Sequence, residues 1–327
     1  MWAFVVIAVI KVLVVFTAML LIVAYMTLME RKVLGHMQVR YGPNRVGPFG
    51  LLQPIADGLK LFFKEDIFVP YSNRIIYTLA PAVIVITALV SYAVIPFGDS
   101  IEIWGYKIDL VVADINVGLL YLLAISSLGV YGIVMGGWAS NNKYSLLGSI
   151  RSSAQMISYE ISLGLSIIGV LMLAGSLSMV KIVQAQSAMW FIVYQPLGFI
   201  IYFIAALAEC SRTPFDLTEC ENELVAGYQT EYSSMKFGLY YLAEYAHILV
   251  VSSVAVTLFF GGWQGPFLPP VIWFLIKVFI FIFIFIWIRA TYPRLRYDQL
   301  MQFGWKVLLP LALLNIMITA LIISLKA

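Results

Sequence analysis

Eight runs of predominantly apolar residues follow one another along this 327-residue chain, at 4–29, 75–96, 115–137, 155–175, 190–208, 238–260, 269–289 and 304–325. A helix rises about 1.5 Å per residue, so about 20 residues cross the roughly 30 Å hydrocarbon core of a bilayer. Lipid offers no partner to a backbone N–H or C=O, which leaves helices or a closed barrel, and runs of this length read as helices. The predicted fold is therefore all-α. We expect a polytopic membrane protein with about eight transmembrane helices, a short amphipathic interfacial helix and a cytoplasmic acidic loop. The charged fraction is 11%, against about 25% in soluble domains. The runs are too closely spaced for a separate soluble domain, so residues 1–327 read as a single membrane domain. No small-residue cleavage site follows the first run, which reads as a retained helix.

Basic residues set the orientation. Arg31, Lys32, Arg40, Arg45, Lys60, Lys64 and Arg74 lie between runs one and two, Lys143 and Arg151 between three and four, and Arg289, Arg294 and Arg296 between seven and eight. These loops share one side by parity, whereas the opposite loops carry Lys107 and Lys181. The expectation is a cytoplasmic loop after run five and both termini outside. The net charge of +3 gives no indication of nucleic acid.

Cys210 and Cys220, the two cysteines, cannot supply the four thiolates of an iron–sulfur cluster and read as free thiols. Two histidines, His36 and His247, are too few for a di-haem cytochrome. Neither a dinucleotide fingerprint nor a phosphate-binding loop occurs. The chain is expected to bind no cofactor of its own.

Of the 17 acidic residues, Glu209, Asp216, Glu219, Glu221, Glu223, Glu231 and Glu244 crowd into one region. Glu209 and Glu244 fall at or inside apolar runs, where an ionised carboxylate costs roughly 2.5–3.5 kcal/mol unless paired, hydrated or protonated. Proton handling is the first hypothesis. Glu160, about two turns into run four, has the same need, against the alternative of a structural hydrogen bond. Thr218 and Glu221 fit a capping box, Thr-x-x-Glu. Glu219 and Glu223 would then share a helical face and repel. Glu244 and His247 lie one turn apart and could share a proton, but a lone histidine near an interface is more often simply hydrogen-bonded, and His247 is left unassigned. Lys277, set among apolar residues of run seven, resembles the buried lysines that neutralise a carboxylate or relay protons, while Lys11 could snorkel outward.

Between runs one and two, Glu30-Arg31-Lys32 reads as an interfacial anchor, and Gly42-Pro43 and Gly47-Pro48 force turns. From Leu51 to Glu65, Leu52, Ile55, Leu59, Phe62 and Phe63 share one helical face and Gln53, Asp57, Lys60 and Lys64 the other. Such a helix lies in the interface plane, as a plain anchor or as the wall of a lipophilic ligand's site. Gly129, Gly132 and Gly136 favour close helix packing, as do Ser158, Ser162 and Ser166.

Several segments in order resemble one family: Glu30-Arg31-Lys32, Gln38-Val39-Arg40 with Asn44-Arg45-Val46-Gly47, Gln53-Pro54 with Asp57 and Lys60, Gly137-Trp138 through Asn141 and Lys143-Tyr144, Ser158-Tyr159-Glu160, and Ala208-Glu209 through Tyr232-Ser233. Over essentially its full length the chain resembles the family of H subunits of proton-pumping NADH-quinone oxidoreductase, respiratory complex I, whose mitochondrial counterpart is NADH dehydrogenase subunit 1. The resemblance implies a subunit without a redox centre that joins the membrane arm to the hydrophilic arm. It implies quinone as substrate, with iron–sulfur clusters and FMN in partner subunits. Its partners would be the other membrane-arm subunits, the hydrophilic subunits of the quinone module and membrane lipids. By motif, Glu30, Arg31, Arg40, Asp57, Glu219, Glu221, Glu223, Glu231 and Glu244 would lie around or below the quinone chamber. Glu160 and Glu209 would begin a proton path, to which Lys277 is added from its placement. Some family members carry a glutamate where this chain has Ser127. A bacterial inner (plasma) membrane is the expected location, an organelle inner membrane the alternative.

Two other classes remain open. A membrane subunit of a related hydrogenase or formate-oxidising complex shares the Glu-Arg-Lys and acidic-loop logic. A secondary transporter would show paired repeats with broken helices, and no such symmetry is visible.

Overall fold

The computed structural model describes residues 2–103, 106–216 and 224–326. Its helices are α1 (Trp2–Met37), α2 (Gln53–Phe63), α3 (Arg74–Ser91), α4 (Gly118–Ala139), α5 (Lys143–Ala174), α6 (Met179–Ala185), α7 (Phe191–Tyr194), α8 (Pro196–Glu209), α9 (Ser234–Phe259), α10 (Pro270–Thr291), α11 (Tyr297–Phe303) and α12 (Leu309–Lys326). A π-helical turn, Gly304–Leu308, joins the last two into one rod. Among the described residues, seven helical segments are long and apolar enough to cross a membrane. The chain is thus a multi-pass membrane protein.

The eighth expected crossing, at 190–208, is the exception. It is built from α7 and α8, broken at Gln195 before Pro196, whose ring cannot donate to the helical ladder. Helix α8, with 14 residues, rises about 21 Å by itself, short of the roughly 30 Å hydrocarbon core. The break is held from α12: Asn315 Nδ2 donates to Gln195 Oε1 at 2.9 Å, and Gln195 Nε2 donates to Thr319 Oγ1 at 2.7 Å.

Side chains set the helix starts. Asn73 Oδ1 accepts from the Ile76 N–H to cap α3, and Asn142 Oδ1 from the Tyr144 N–H to cap α5. That second cap explains why α5 begins at Lys143 rather than near 155: its first turns are polar, but Ser145 and Gln155 donate to carbonyls of Tyr228, Ala208 and Phe215 across the bundle. A short antiparallel hairpin, β1 (Ser100–Ile103) and β2 (Tyr106–Asp109), pairs Ser100 with Asp109 between α3 and α4. The apolar periodicity gave no sign of it.

Helix α9 is the axis of the bundle. In its most apolar stretch 83% of residues are buried, against 11% for α1 at the rim. Helix α2 buries none of its residues, and Phe62 and Phe63 are 68% and 81% exposed, as an interfacial helix requires. Helix α4 packs on α3 and α9 through its glycines. A methyl at Gly132 would fall 2.2 Å from Ile84 Cγ1, and one at Gly136 2.2 Å from the Tyr240 hydroxyl.

Candidate functional site

The C-terminal ends of α1, α8 and α10 converge with the first half of α9 on a group of buried charges. Arg212, just past the end of α8, lies 3.2 Å from Glu30 of α1 through its Nη1 and 2.6 Å from Glu244 of α9 through its Nε. The second contact is an ion pair rather than a well-aligned hydrogen bond. Arg289 of α10 binds the same Glu30 carboxylate, and the Tyr245 hydroxyl donates to it. The Arg212 guanidinium also stacks over the Tyr245 ring at 4.5 Å. Two acids thus face two bases. Burial works against the charge on Arg212, but Glu244 and Glu30 outweigh it and hold the guanidinium protonated. The cleft beside this group is about 10 Å³, at the lower limit for a single water.

On its other side Glu244 opens onto a larger cavity. This space of about 60 Å³ is lined by Glu209, Glu244, His247, Ser126, Tyr240 and others, and has room for about four waters. Glu209 Oε1 and His247 Nε2 are 3.2 Å apart. That nitrogen meets no well-formed hydrogen-bond partner, although it is buried. Water in this cavity would meet the carboxylates of Glu209 and Glu244 and the His247 ring nitrogen. Glu160 of α5 is half-buried and within electrostatic reach of both Glu209 and His247. The chain of charges therefore runs Arg289, Glu30, Arg212, Glu244, cavity, Glu209 with His247, and Glu160.

Other acids are paired separately. Arg31 Nη1 meets Asp57 Oδ2 at 2.6 Å, tying the end of α1 to α2, and Gln53 donates to the other Asp57 oxygen. Arg40 is exposed and bonds Gln38. Glu231 is half-buried and takes a hydrogen bond from Asn142 at the α4–α5 turn, apart from Glu30 and Asp57. Asp216 pairs with Arg294 at 3.2 Å. Burial pushes its carboxyl up from the usual range, with Arg294, Arg289 and Arg212 pulling it back. Cys210 is a buried free cysteine whose thiol burial and Glu209 push well up, which leaves it unreactive. Glu219, Glu221, Glu223, Thr218 and Cys220 lie outside the described residues.

His247 and Lys277 meet partners that the sequence left open. His247 faces Glu209 across helices, while its own-helix neighbour Glu244 faces Arg212. Lys277 meets no carboxylate among the described residues: its Nζ donates to the carbonyls of Phe260, Gly262 and Gln264 at 2.7, 3.0 and 2.7 Å, and stands 4.7 Å from the Trp190 ring. It ties down the turn between α9 and α10. Lys11 reaches the Val111 carbonyl at 3.4 Å. Sequence reading missed Arg212, Arg289 and Tyr245 as site residues. Their partners lie 182, 259 and 215 positions away, so no local spacing betrays them. Among the described residues no group of three His, Cys, Asp or Glu could hold a metal ion.

The sequence model of the family described as NADH dehydrogenase matches residues 10–320. The chain belongs to that family. It is 58% identical to an NADH-quinone oxidoreductase H subunit of Syntrophobacter fumaroxidans, over 94% of this chain and 93% of that protein. It is 56% identical to an H subunit of the same enzyme from Geobacter sulfurreducens, over 97% and 95%, and to the H subunit from Protochlamydia amoebophila, over 91% of each.

Proposed function

We propose that this chain is the subunit of a bacterial NADH-quinone oxidoreductase that passes the effect of quinone reduction into the membrane as a proton movement. The observation that carries this reading is Glu244, whose carboxylate belongs to both the closed ionic group and the water-sized cavity. Family membership supplies the context: relatives covering nearly the whole chain are named as H subunits of that enzyme. The chain itself would carry no redox centre. Quinone would be the substrate, with iron–sulfur clusters and FMN in partner subunits.

The chemistry is electrostatic. Negative charge or proton demand created beside Glu30 and Arg212 changes how strongly Arg212 holds Glu244, because the two carboxylates compete for one guanidinium. A Glu244 released from Arg212 takes up a proton more readily. It exchanges that proton through cavity water with Glu209 and His247, and Glu160 lies next along α5. Protons in such a coupled set belong to the group rather than to one residue. Glu30, Arg31, Arg40, Asp57 and Glu231, together with Glu219, Glu221 and Glu223, are proposed for the quinone side, and Glu160 and Glu209 for the proton path. Lys277 is left out of that path, since its three carbonyl partners give it a structural task. Location in the inner membrane with both termini outside is the reading the loop charges support.

Purification from the native membrane in mild detergent tests the assignment. Iron–sulfur and flavin subunits should accompany the chain, with quinone reductase activity. A pure homo-oligomer with transport activity would overturn it in favour of a transporter.

A further inference from the structure

The cavity at Glu209 has a second polar wall that the quinone side does not explain. Tyr240 of α9 is 1% exposed and lines the cavity, and its hydroxyl interacts with that of Tyr232. Behind it stands Tyr232, whose ring meets that of Tyr240 at 4.8 Å and 73°. Both hydroxyls converge on Gly136 of α4. A methyl there would fall 2.2 Å from the Tyr240 oxygen and 3.4 Å from that of Tyr232, so the glycine makes the space in which the two interact. The Tyr232 hydroxyl also reaches the Gly136 carbonyl at 3.5 Å, which Ser140 Oγ engages at 2.7 Å.

We propose that the hydroxyls of Tyr232 and Tyr240 carry protons into the Glu209–His247 cavity, by a route past Ser140 on the α4–α5 side, away from Glu30 and Asp57. The inference rests on the reading of this chain as a proton-translocating subunit. Each transfer is a neutral hop. Tyr232 accepts a proton from the Ser140 side as it gives its own to the Tyr240 oxygen, and Tyr240 gives its proton to a cavity water or to the Glu209 carboxylate. One proton moves inward and neither ring keeps a charge. Burial pushes the Tyr232 phenol up to about 12, so it serves as a neutral relay rather than a phenolate. Phenylalanine at either position would keep the ring packing and remove the relay.

The test uses the intact complex in liposomes, with proton pumping measured per quinone reduced. Tyr240→Phe and Tyr232→Phe should each slow pumping by roughly 10-fold or more, the scale of losing a positioned proton carrier, and remove the solvent isotope effect on pumping. Should Tyr240→Phe fail to assemble, Tyr232→Phe reads the same route from the Ser140 side. A pumping wild type whose phenylalanine variants match its ratio and isotope effect would overturn this proposal alone. A wild-type complex that reduces quinone without moving protons would remove the reading beneath it as well.

Discussion

Lys277 and Glu209 are buried to nearly the same degree, 7% and 6% exposed, yet they sit in opposite kinds of surroundings. Three carbonyls and an indole face close on the Lys277 ammonium and leave it nothing further to bind. Glu209 meets one histidine nitrogen and a space sized for about four waters. The first arrangement spends a buried charge on fixing a turn. The second leaves a carboxylate beside space that water could enter. Burial of an ionisable residue therefore does not by itself mark a proton path; what distinguishes the two is whether the surroundings are already complete.

Variants can break or sharpen that contrast. The largest effect on stability is expected from Arg212→Met, which strands Glu244 without its cation and leaves Glu30 to Arg289 and Tyr245; removing one partner of a buried pair costs about 3–5 kcal/mol. Thermal unfolding of the detergent-solubilised complex measures it. Lys277→Met should follow, at on the order of 3 kcal/mol for the lost charge-assisted hydrogen bonds, with loosening of the α9–α10 turn seen by hydrogen exchange. The surviving Lys277→Met complex should pump normally. A smaller effect is expected within α5, where Ser162→Ala removes a buried hydroxyl that has no partner and should change stability by less than about 1 kcal/mol.

Asp216 gives the smallest effect, and its sign is fixed. Burial raises its carboxyl in the folded state, so the fold holds that proton more tightly than the unfolded chain does. Stability from this group is present below the ordinary carboxylate range and falls as pH rises through the raised value. Asp216→Asn should flatten that slope, read as a weaker dependence of melting temperature on pH in mildly acidic buffer.

Much of this was legible in the chain. Apolar run length located the seven long crossings, and the periodicity from Leu51 to Glu65 found α2. Glu209, Glu244 and Glu160 stood out because lipid makes a carboxylate expensive. What stayed hidden depends on distant pairing. Arg212 sits three residues after Glu209, but nothing local announces that it joins Glu30 to Glu244. His247 stays unassigned in the sequence because the Glu209 it meets belongs to another helix. The polar start of α5 resembled a loop because its hydrogen bonds go to segments far along the chain. Gly136 looked like helix packing alone until Tyr240 and Tyr232 were seen to meet over it.

The most direct test of the central claim is the number of protons pumped per quinone reduced in liposomes by the assembled Glu209→Gln complex, set beside Lys277→Met. Our account predicts a sharp fall for Glu209→Gln and a wild-type ratio for Lys277→Met. Normal coupling in the Glu209→Gln complex, or uncoupling by Lys277→Met alone, would contradict it.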